Sequence, residues 1–232
     1  MIHQQSIGLV IPALNESASI AKVLAEVPKA IDYIVVVDNG SEDDTAVLAE
    51  RSGALVIRED RKGYGSACLA GINFLEKNFR PDLIAFMDAD YSDYPADLSK
   101  VIEPVAQGKA AFGIGYRMPD NCVSDDRGIH QRLGNWFACV LISLLYGVRY
   151  LDLGPMRCIR SDTLNSLQMT DIDFGWTTEM QVKIALKRLA IEQVPVRYRH
   201  RLGESKISGT IKGSISAAAK ILFWSVRARF QS

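Results

Sequence analysis

Two aspartates, Asp88 and Asp90, stand one residue apart directly after an apolar run from Leu83 to Met87. Two carboxylates on one turn supply hard oxygen ligands for a divalent cation and leave coordination sites open for phosphate oxygens. A cation held there would offset the charge of a departing diphosphate. The aspartates could instead cap a following helix. Their position after a buried strand favours a cation and diphosphate site.

A second polar cluster, Asp38-Asn39-Gly40-Ser41, closes the apolar run that ends at Val37. A carboxylate or amide there can accept a hydrogen bond from a base N–H or a ribose hydroxyl. Taken alone, each of these residues fits a plain turn with helix capping by Asp43 or Asp44. Together with Pro12 and Glu16 after the neighbouring run, they favour a nucleoside pocket.

The elements that must position these side chains alternate strictly between short β-rich runs and helical periods in the first half of the chain. Such alternation implies right-handed crossovers and a mostly parallel, buried sheet of the α/β class. Ligands bind to such sheets beyond the carboxyl ends of the strands. The strands are predicted at Ile7 to Ile11, Tyr33 to Val37, Ala54 to Ile57 and Leu83 to Met87.

Beyond Gly108 the pattern is looser, and no internal repeat or linker interrupts it. One domain over residues 1–208 with a C-terminal appendage over 209–232 is therefore favoured. In this half we predict a short strand from Ala111 to Ile114, a polar loop from Met118 to Gly128, a helix from Gly175 to Leu189, a strand from Ile191 to Tyr198 and a terminal helix from Gly209 to Phe230.

The composition excludes several classes of protein. The 232 residues are 48% hydrophobic and 23% charged, which is typical of a globular protein rather than a disordered one. Lys plus Arg balance Asp plus Glu at 27 each, so no overall field points to nucleic acid. The first residues lack the pattern of a signal peptide, and a cytoplasmic location with reduced, mostly buried cysteines is expected.

Two cationic, amphipathic segments predict contact with an anionic membrane surface. The run from Leu133 to Val148 is too short for the ~20 residues that span a bilayer, but its apolar residues recur at helical spacing. An ordinary buried helix explains this run equally well. In the predicted terminal helix, an apolar stripe from Ile211 to Val226 lies beside a cationic stripe, which fits an anionic bilayer.

Five motifs occur in the order V-I-P-A-L-N-E, V-V-V-D-N-G-S-E-D-D-T, M-D-A-D, G-Y-R and G-E-S-K, from Ile7 to about Ser208. In this order the chain resembles the inverting family 2 glycosyltransferases, and within them the dolichyl-phosphate mannose and glucose synthases. Each motif is weak alone, but the set is specific. The resemblance implies a GT-A fold, a UDP- or GDP-sugar donor, Mg²⁺ or Mn²⁺ as cofactor, and polyprenyl phosphate as acceptor of a hexose.

The resemblance also implies roles for individual residues. Arg117 would clamp phosphate during catalysis, as guanidinium groups do. Apart from the resemblance, an ionised phosphate acceptor needs clamping cations, and Arg132 is a second candidate for that role. Lys206 would hold phosphate as well. Pro12, Leu14, Glu16, Val37, Asp38 and Asn39 would line the nucleoside site, and Asp88, Ala89 and Asp90 would contact diphosphate and metal, Asp90 being catalytic.

The chain departs from the family pattern at two places. The family has a glutamine ligand two residues after the second aspartate, where this chain has Ser92 followed by Asp93. The family also has an arginine six residues before the motif lysine, where this chain has His200 between Arg199 and Arg201. We assign the phosphate contact to Arg201, although the sequence does not separate it from Arg199.

The sequence leaves two alternatives open for the acceptor, a phosphate group and a hydroxyl group. A phosphate monoester is already an anion near neutral pH, whereas a hydroxyl acceptor needs a general base. Glu179 and Asp173 are the candidates for that base, and helix capping is the other explanation for both. A non-catalytic nucleotide-sugar binding protein is a further alternative. A dinucleotide-dependent dehydrogenase is excluded because no G-x-G-x-x-G follows the first strand.

Overall fold

A computed structural model describes residues 4–122, 129–202 and 223–224, with the backbone alone described for 118–122 and 129–131. Within these residues, seven strands form one sheet in the order β3-β2-β1-β4-β6-β5-β7. The strands are β1 Ile7–Ala13, β2 Tyr33–Asp38, β3 Leu55–Arg58, β4 Leu83–Phe86, β5 Phe112–Cys122, β6 Arg157–Arg160 and β7 Ile191–Tyr198.

The helices connect the strands of the first half as crossovers and cover the sheet on both faces. They are α1 Ile20–Glu26, α2 Thr45–Arg51, α3 Tyr64–Asn78, α4 Leu98–Ala106, α5 Ile129–Tyr146, α6 Ser161–Leu167 and α7 Trp176–Leu186, with a short 3₁₀ turn at Pro95–Asp97. None of the helices in the described part of the chain has both the length and the apolar composition needed to span a bilayer.

Burial on both faces of the sheet explains why the strands read as continuous apolar runs. Along β1, Val10 packs into a core with α3 and α7, while Leu9 and Ile11 pack into a second core with α1 and α4. All three side chains are fully buried. Because both cores exclude water, the polar residues that follow each strand are confined to the ends of the sheet.

The pairing confirms the predicted mostly parallel α/β sheet. Strands β3, β2, β1 and β4 are parallel neighbours, and β5 is parallel to β7. Strand β6 runs antiparallel to both β4 and β5 and joins the two parallel groups. All four strands predicted in the first half are present, each within one or two residues of its predicted ends.

Three predictions in the second half need correction or remain open. The polar loop predicted from Met118 is wrong as far as Cys122, because β5 continues to that residue and pairs with β7 beyond a shift in register. Strand β6 was not predicted, since its four residues, Arg-Cys-Ile-Arg, show no alternation of polar and apolar side chains. The predicted terminal helix and the boundary at residue 208 lie outside the described residues, apart from positions 223–224.

The cysteine prediction is confirmed for the three side chains that the structure describes. Cys68, Cys139 and Cys158 are free thiols and are buried. Burial raises the pKa of the Cys68 and Cys158 thiols, which keeps both in the neutral form. These cysteines therefore behave as small core residues.

Candidate active site

A pocket of about 520 Å³ opens at the carboxyl ends of β1, β2 and β4, a volume typical of sites for small ligands. It lies where the doubly covered sheet predicts ligand binding. The lining residues are Pro12, Ala13, Leu14, Glu16, Asn39, Lys62, Gly63, Tyr64, Ala67, Asp88, Ala89, Asp90, Asp173, Phe174 and Arg201.

The structure brings Asp88 and Asp90 to one wall of this pocket, two and four residues beyond β4. The Tyr64 hydroxyl donates a hydrogen bond to Asp88 Oδ1 at 3.1 Å. Ser92 donates to Asp90 Oδ1 through its backbone N–H at 2.9 Å and through its hydroxyl at 2.6 Å. Both carboxylates are thus oriented by donors from neighbouring residues.

Electrostatics make this carboxylate pair receptive to a cation. Burial, together with the charge of Asp90, raises the pKa of the Asp88 carboxyl well above its usual range. Like charges held close together in a partly desolvated site disfavour ionisation of both groups. A divalent cation between them would remove this repulsion, so the donor set fits a hard metal ion. Within the described residues, no group of three or more acidic, histidine or cysteine side chains could hold a metal by itself.

Arg201 is the arginine that faces the pocket. Its Nη2 atom lies 3.2 Å from Asp90 Oδ2 and 3.8 Å from Glu16 Oε1. Arg199 points elsewhere, with its guanidinium 3.2 Å from the Tyr91 ring centroid and its Nη2 2.9 Å from Glu26 Oε2. Of these two arginines, Arg201 is therefore the one near Asp90 and Glu16, and its contact with phosphate stays a prediction.

Asn39 organises the side of the pocket predicted to hold the nucleoside. Its Nδ2 donates to the carbonyl oxygens of Glu59 and Arg61 at 2.9 Å each. Its Oδ1 accepts the Gly63 N–H at 2.8 Å. All three bonds go to the loop after β3, which carries Lys62 to the pocket. Asn39 therefore both lines the pocket and fixes a second lining segment.

Two residues predicted to line the nucleoside site do not reach it with their side chains. Val37 is fully buried in the core, and in the sheet it pairs with Pro12. Asp38 is 5% exposed, and its Oδ1 accepts the Ser41 N–H at 2.9 Å. The side chain of Val37 therefore packs in the core and that of Asp38 shapes the turn, while the predicted nucleoside contact of both residues stays a prediction.

The phosphate-clamping role predicted for Arg117 is not supported by its contacts. Its Nε and Nη2 atoms donate to the two oxygens of Asp152 at 2.6 and 2.7 Å, and the side chain is 14% exposed. This bidentate pair occupies the guanidinium, and Arg117 does not line the pocket. Arg132 lies exposed on α5, also away from the pocket lining. Lys206 falls outside the described residues.

Glu179 is not placed where a base could meet an acceptor. Its carboxylate is fully buried and accepts the backbone N–H of Thr170 at 2.9 Å and that of Asp171 at 2.7 Å. The Lys183 ammonium donates to it at 2.7 Å. These bonds fix the segment before α7 and occupy the Glu179 carboxylate, so its contacts give no support to the prediction of a catalytic base.

Asp173, the other base candidate, does line the pocket, next to Phe174. Lys62, Gly63, Tyr64 and Ala67 also line it, although the sequence reasoning assigned them no role. The R-K-G-Y-G run after β3 was the available signal for most of them, because polar sequence follows that strand as it follows β1, β2 and β4.

The two alternatives for completing the metal site differ in position. Ser92 contacts Asp90 and supports its orientation. Asp93 is 3% exposed, does not line the pocket, and its two carboxylate oxygens have no hydrogen-bond partner. Burial, and then the charge of Asp88, raises the pKa of Asp93. Asp93 therefore senses the charge of the Asp88–Asp90 pair although it does not line the pocket.

Comparisons with known proteins show sequence similarity to glycosyltransferases. The family described as Glycosyl transferase family 2 matches residues 9–162. An uncharacterized glycosyltransferase of Mycobacterium tuberculosis is 34% identical over 226 residues, covering 95% of this chain and 97% of the relative. An undecaprenyl-phosphate mannosyltransferase of Micrococcus luteus is 28% identical over 236 residues, covering 96% and 95%. A dolichyl-phosphate hexose transferase of Haloferax volcanii is 30% identical over 207 residues, covering 87% and 86%.

Solved structures give a likeness of fold. Glucosyl-3-phosphoglycerate synthase from Mycobacterium tuberculosis, in complex with Mn²⁺, UDP-glucose and phosphoglyceric acid, has a TM-score of 0.77 and 21% identity. The alignment covers 98% of this chain and 80% of that one. Complexes of the same synthase with UDP contain Mn²⁺ in one crystal and Mg²⁺ in another.

Proposed function

Because the chain belongs to glycosyl transferase family 2, and is a glycosyltransferase with the GT-A fold, we propose that it transfers a hexose with inversion from a UDP- or GDP-sugar to polyprenyl phosphate. The observation that carries this proposal is the pocket in which Asp88, Asp90 and Arg201 meet at the end of β4. Membership of this family removes the support for a purely binding role.

In the proposed donor complex, the nucleoside lies between the ends of β1 and β2, against Pro12, Leu14 and Asn39. Lys62 and Arg201 line the pocket and supply positive charge to it, and the Glu16 carboxylate lies 3.8 Å from Arg201. A guanidinium can bind two phosphate oxygens at once, which fixes the geometry of a diphosphate as well as its charge.

Asp88 and Asp90 are the residues that would hold Mg²⁺ or Mn²⁺, with Ala89 beside them at the diphosphate. Their carboxylates are oriented by Tyr64 and Ser92, and the raised pKa of Asp88 reflects repulsion that a cation would relieve. A bound metal would supply charge neutralisation for the diphosphate as it leaves. The crystals of glucosyl-3-phosphoglycerate synthase with Mn²⁺ or Mg²⁺ and UDP support this assignment.

The proposed acceptor rests on two supports. Two relatives carry names that include a polyprenyl phosphate, undecaprenyl-phosphate mannosyltransferase and dolichyl-phosphate hexose transferase. In addition, Glu179 is engaged in structural hydrogen bonds. An ionised phosphate oxygen can attack the anomeric carbon without deprotonation by the protein, so this acceptor is compatible with a pocket that lacks Glu179.

A second candidate is transfer to a hydroxyl acceptor, which is favoured by the presence of Asp173 at the pocket. A hydroxyl must lose its proton as it attacks, and Asp173 is then the carboxylate in position to receive it. The structural likeness to glucosyl-3-phosphoglycerate synthase is compatible with this candidate.

Exposed apolar side chains on α5 support peripheral binding at the cytoplasmic face of a membrane, where a lipid-linked acceptor would be reached. Leu133, Trp136 and Leu144 are 58%, 62% and 78% exposed. They recur at the spacing of one helix face, and Arg132 beside them is also exposed. Tryptophan and arginine suit the headgroup region of an anionic bilayer. We extend this proposal to Arg132 and Lys206 as contacts for the acceptor phosphate, and to residues 209–232 as a second membrane contact.

A transfer assay tests the proposal. The full-length protein is incubated with Mg²⁺, a panel of UDP- and GDP-hexoses, and either undecaprenyl phosphate or 3-phosphoglycerate. We expect a hexosyl undecaprenyl phosphate of inverted anomeric configuration, identified by mass spectrometry and NMR, and none from the matched Asp90→Asn variant. If product forms only from 3-phosphoglycerate, the acceptor is a hydroxyl group and the proposed acceptor is wrong. Full turnover in excess chelator would show that the reaction does not need a metal ion.

A further inference from the structure

The segment from Thr170 to Gly175 forms one wall of the pocket, because it carries Asp173 and Phe174 into the lining. One end of this segment is fixed by Glu179, which accepts the Thr170 and Asp171 N–H groups. The segment has no regular secondary structure. Its position therefore depends on contacts with neighbouring elements rather than on a helix or sheet ladder.

The first contact is with the beginning of α3. Ser66 N–H donates to the Ile172 carbonyl at 2.8 Å. A Cβ atom on Gly65 would lie 2.1 Å from the Asp171 carbonyl oxygen, and one on Gly63 would lie 2.2 Å from that of Ile172. The glycines of the R-K-G-Y-G run are thus needed because the segment packs directly on them.

This contact links the segment to the carboxylate pair. Tyr64 stands between the two glycines, and its hydroxyl is the donor to Asp88 Oδ1. A displacement of the segment would release the turn that carries Tyr64. The pocket wall and the Asp88 side chain are therefore positioned together.

The second contact comes from the C-terminal part of the chain. The Trp224 side chain is 5% exposed, and its Nε1–H donates to Asp171 Oδ2 at 2.6 Å. The other oxygen, Oδ1, accepts the Asp173 N–H at 2.8 Å. The Trp224 ring also lies 5.4 Å from the Lys183 ammonium. A buried hydrogen bond to a carboxylate is among the stronger single contacts in a protein.

We propose that Trp224 is a positioning residue for the transfer reaction: acting through Asp171, it clamps the Thr170–Gly175 segment against α3 and so holds Asp173 and Phe174 at the donor pocket. Trp224 thereby becomes a component of the active site. This inference rests on the proposed function, since the pocket is taken as the donor site.

Hydrogen–deuterium exchange on the full-length protein tests the clamp without any ligand. Trp224→Phe keeps a buried ring but removes the N–H donor, and Asp171→Asn weakens the acceptor. Each should speed exchange of the Asp173 and Ser66 amides about tenfold or more, as expected for the loss of one charge-assisted hydrogen bond. The matched control is Tyr150→Phe, which removes a buried hydroxyl bonded to the Gln181 carbonyl on α7 and should leave both amides unchanged.

Two results would overturn the clamp. One is unchanged exchange at Asp173 and Ser66 in Trp224→Phe. The other is an equal acceleration over the whole sheet, including β1 and β4, because Trp224 would then stabilise the fold without positioning this segment. The Trp224→Phe and Asp171→Asn effects should also be non-additive in the double variant, since they remove the same bond.

Calorimetric titration with Mg²⁺ and UDP or GDP separates this inference from the proposed function. Trp224→Ala, which removes the ring as well, should weaken nucleotide binding about tenfold, whereas Tyr150→Phe should bind as the wild type does. Unchanged affinity in Trp224→Ala contradicts the inference. A wild-type protein that binds neither nucleotide contradicts the proposed donor, while the exchange experiment still decides on the clamp.

Discussion

The Arg201 guanidinium lies 3.2 Å from the Asp90 carboxylate, and both residues line the pocket. The Arg201 side chain is 24% exposed, so a ligand in the pocket can reach it. When a nucleotide-sugar donor enters, the Arg201 guanidinium can exchange its contact with the Asp90 carboxylate for a contact with a donor phosphate. We therefore place Arg201 at the diphosphate in the proposed donor complex.

The first prediction compares two arginines that are two residues apart. Arg201→Gln should lower kcat/KM about 10- to 100-fold, as expected for removal of a charge-assisted contact of ~1.5–3 kcal/mol, and should leave the melting temperature nearly unchanged. Arg199→Gln should instead lower the free energy of unfolding by about 1–3 kcal/mol, because it removes the cation–π contact with Tyr91 and the hydrogen bond to Glu26. Steady-state kinetics and thermal melts of both variants measure these effects. The assignment would be wrong if Arg199→Gln lost activity and Arg201→Gln lost only stability.

The second prediction concerns the charge on Asp88. Its folded-state pKa is raised, so the native state binds more protons than the unfolded chain at pH values between the usual carboxyl pKa and the raised one. Stability of the metal-free protein should then decrease as pH rises through that window. Asp88→Asn should remove this decrease. Near neutral pH it should raise the free energy of unfolding by roughly 1 kcal/mol, which corresponds to a melting temperature a few degrees higher.

The same variant tests the metal assignment. Excess Mg²⁺ or Mn²⁺ should raise the melting temperature of the wild type, because a ligand that binds only the native state stabilises it. Asp88→Asn should respond much less and should lose turnover. An equal thermal shift in both proteins would place the cation elsewhere.

The third prediction separates the two carboxylates near α7. Glu179→Gln should lower the free energy of unfolding by about 1–3 kcal/mol, since a buried acceptor of several hydrogen bonds is weakened. Asp173→Asn should leave stability almost unchanged. With a polyprenyl phosphate acceptor its turnover should stay within about tenfold of wild type, whereas a hydroxyl acceptor would need Asp173 as base and lose ~10²–10⁴-fold. Urea denaturation and transfer assays with both acceptors make the comparison.

The fourth prediction addresses membrane contact. A Trp136→Ser and Leu144→Ser double variant should bind vesicles of anionic lipid more weakly, because it removes exposed apolar area from α5. Val47→Ser is a matched control, since Val47 is 52% exposed on α2. Truncation after Ser208 should weaken binding further and make it less sensitive to salt. Co-sedimentation that is identical for all four proteins would exclude both surfaces.

The sequence predicts the sheet and most of the pocket because both follow from local patterns. Apolar runs bounded by polar turns locate β1 to β4, and the polar residues after them meet at one edge. The contacts of Arg117 and Glu179 could not be predicted because their partners are set by tertiary structure: Asp152 lies 35 residues from Arg117. No local pattern indicates that Glu179 will accept backbone N–H groups of the segment that precedes its helix. Strand β6 and Trp224 were missed for the same reason.

Strand β6 has a consequence for biosynthesis. Its place between β4 and β5 means that β4, whose four residues are all fully buried in the finished sheet, remains an unpaired apolar edge until the ribosome has made the chain beyond Arg160. Unpaired edges of this kind template association between nascent chains. Fragments that end before β6 should therefore aggregate or bind chaperones, and those that extend through Arg160 should do so far less.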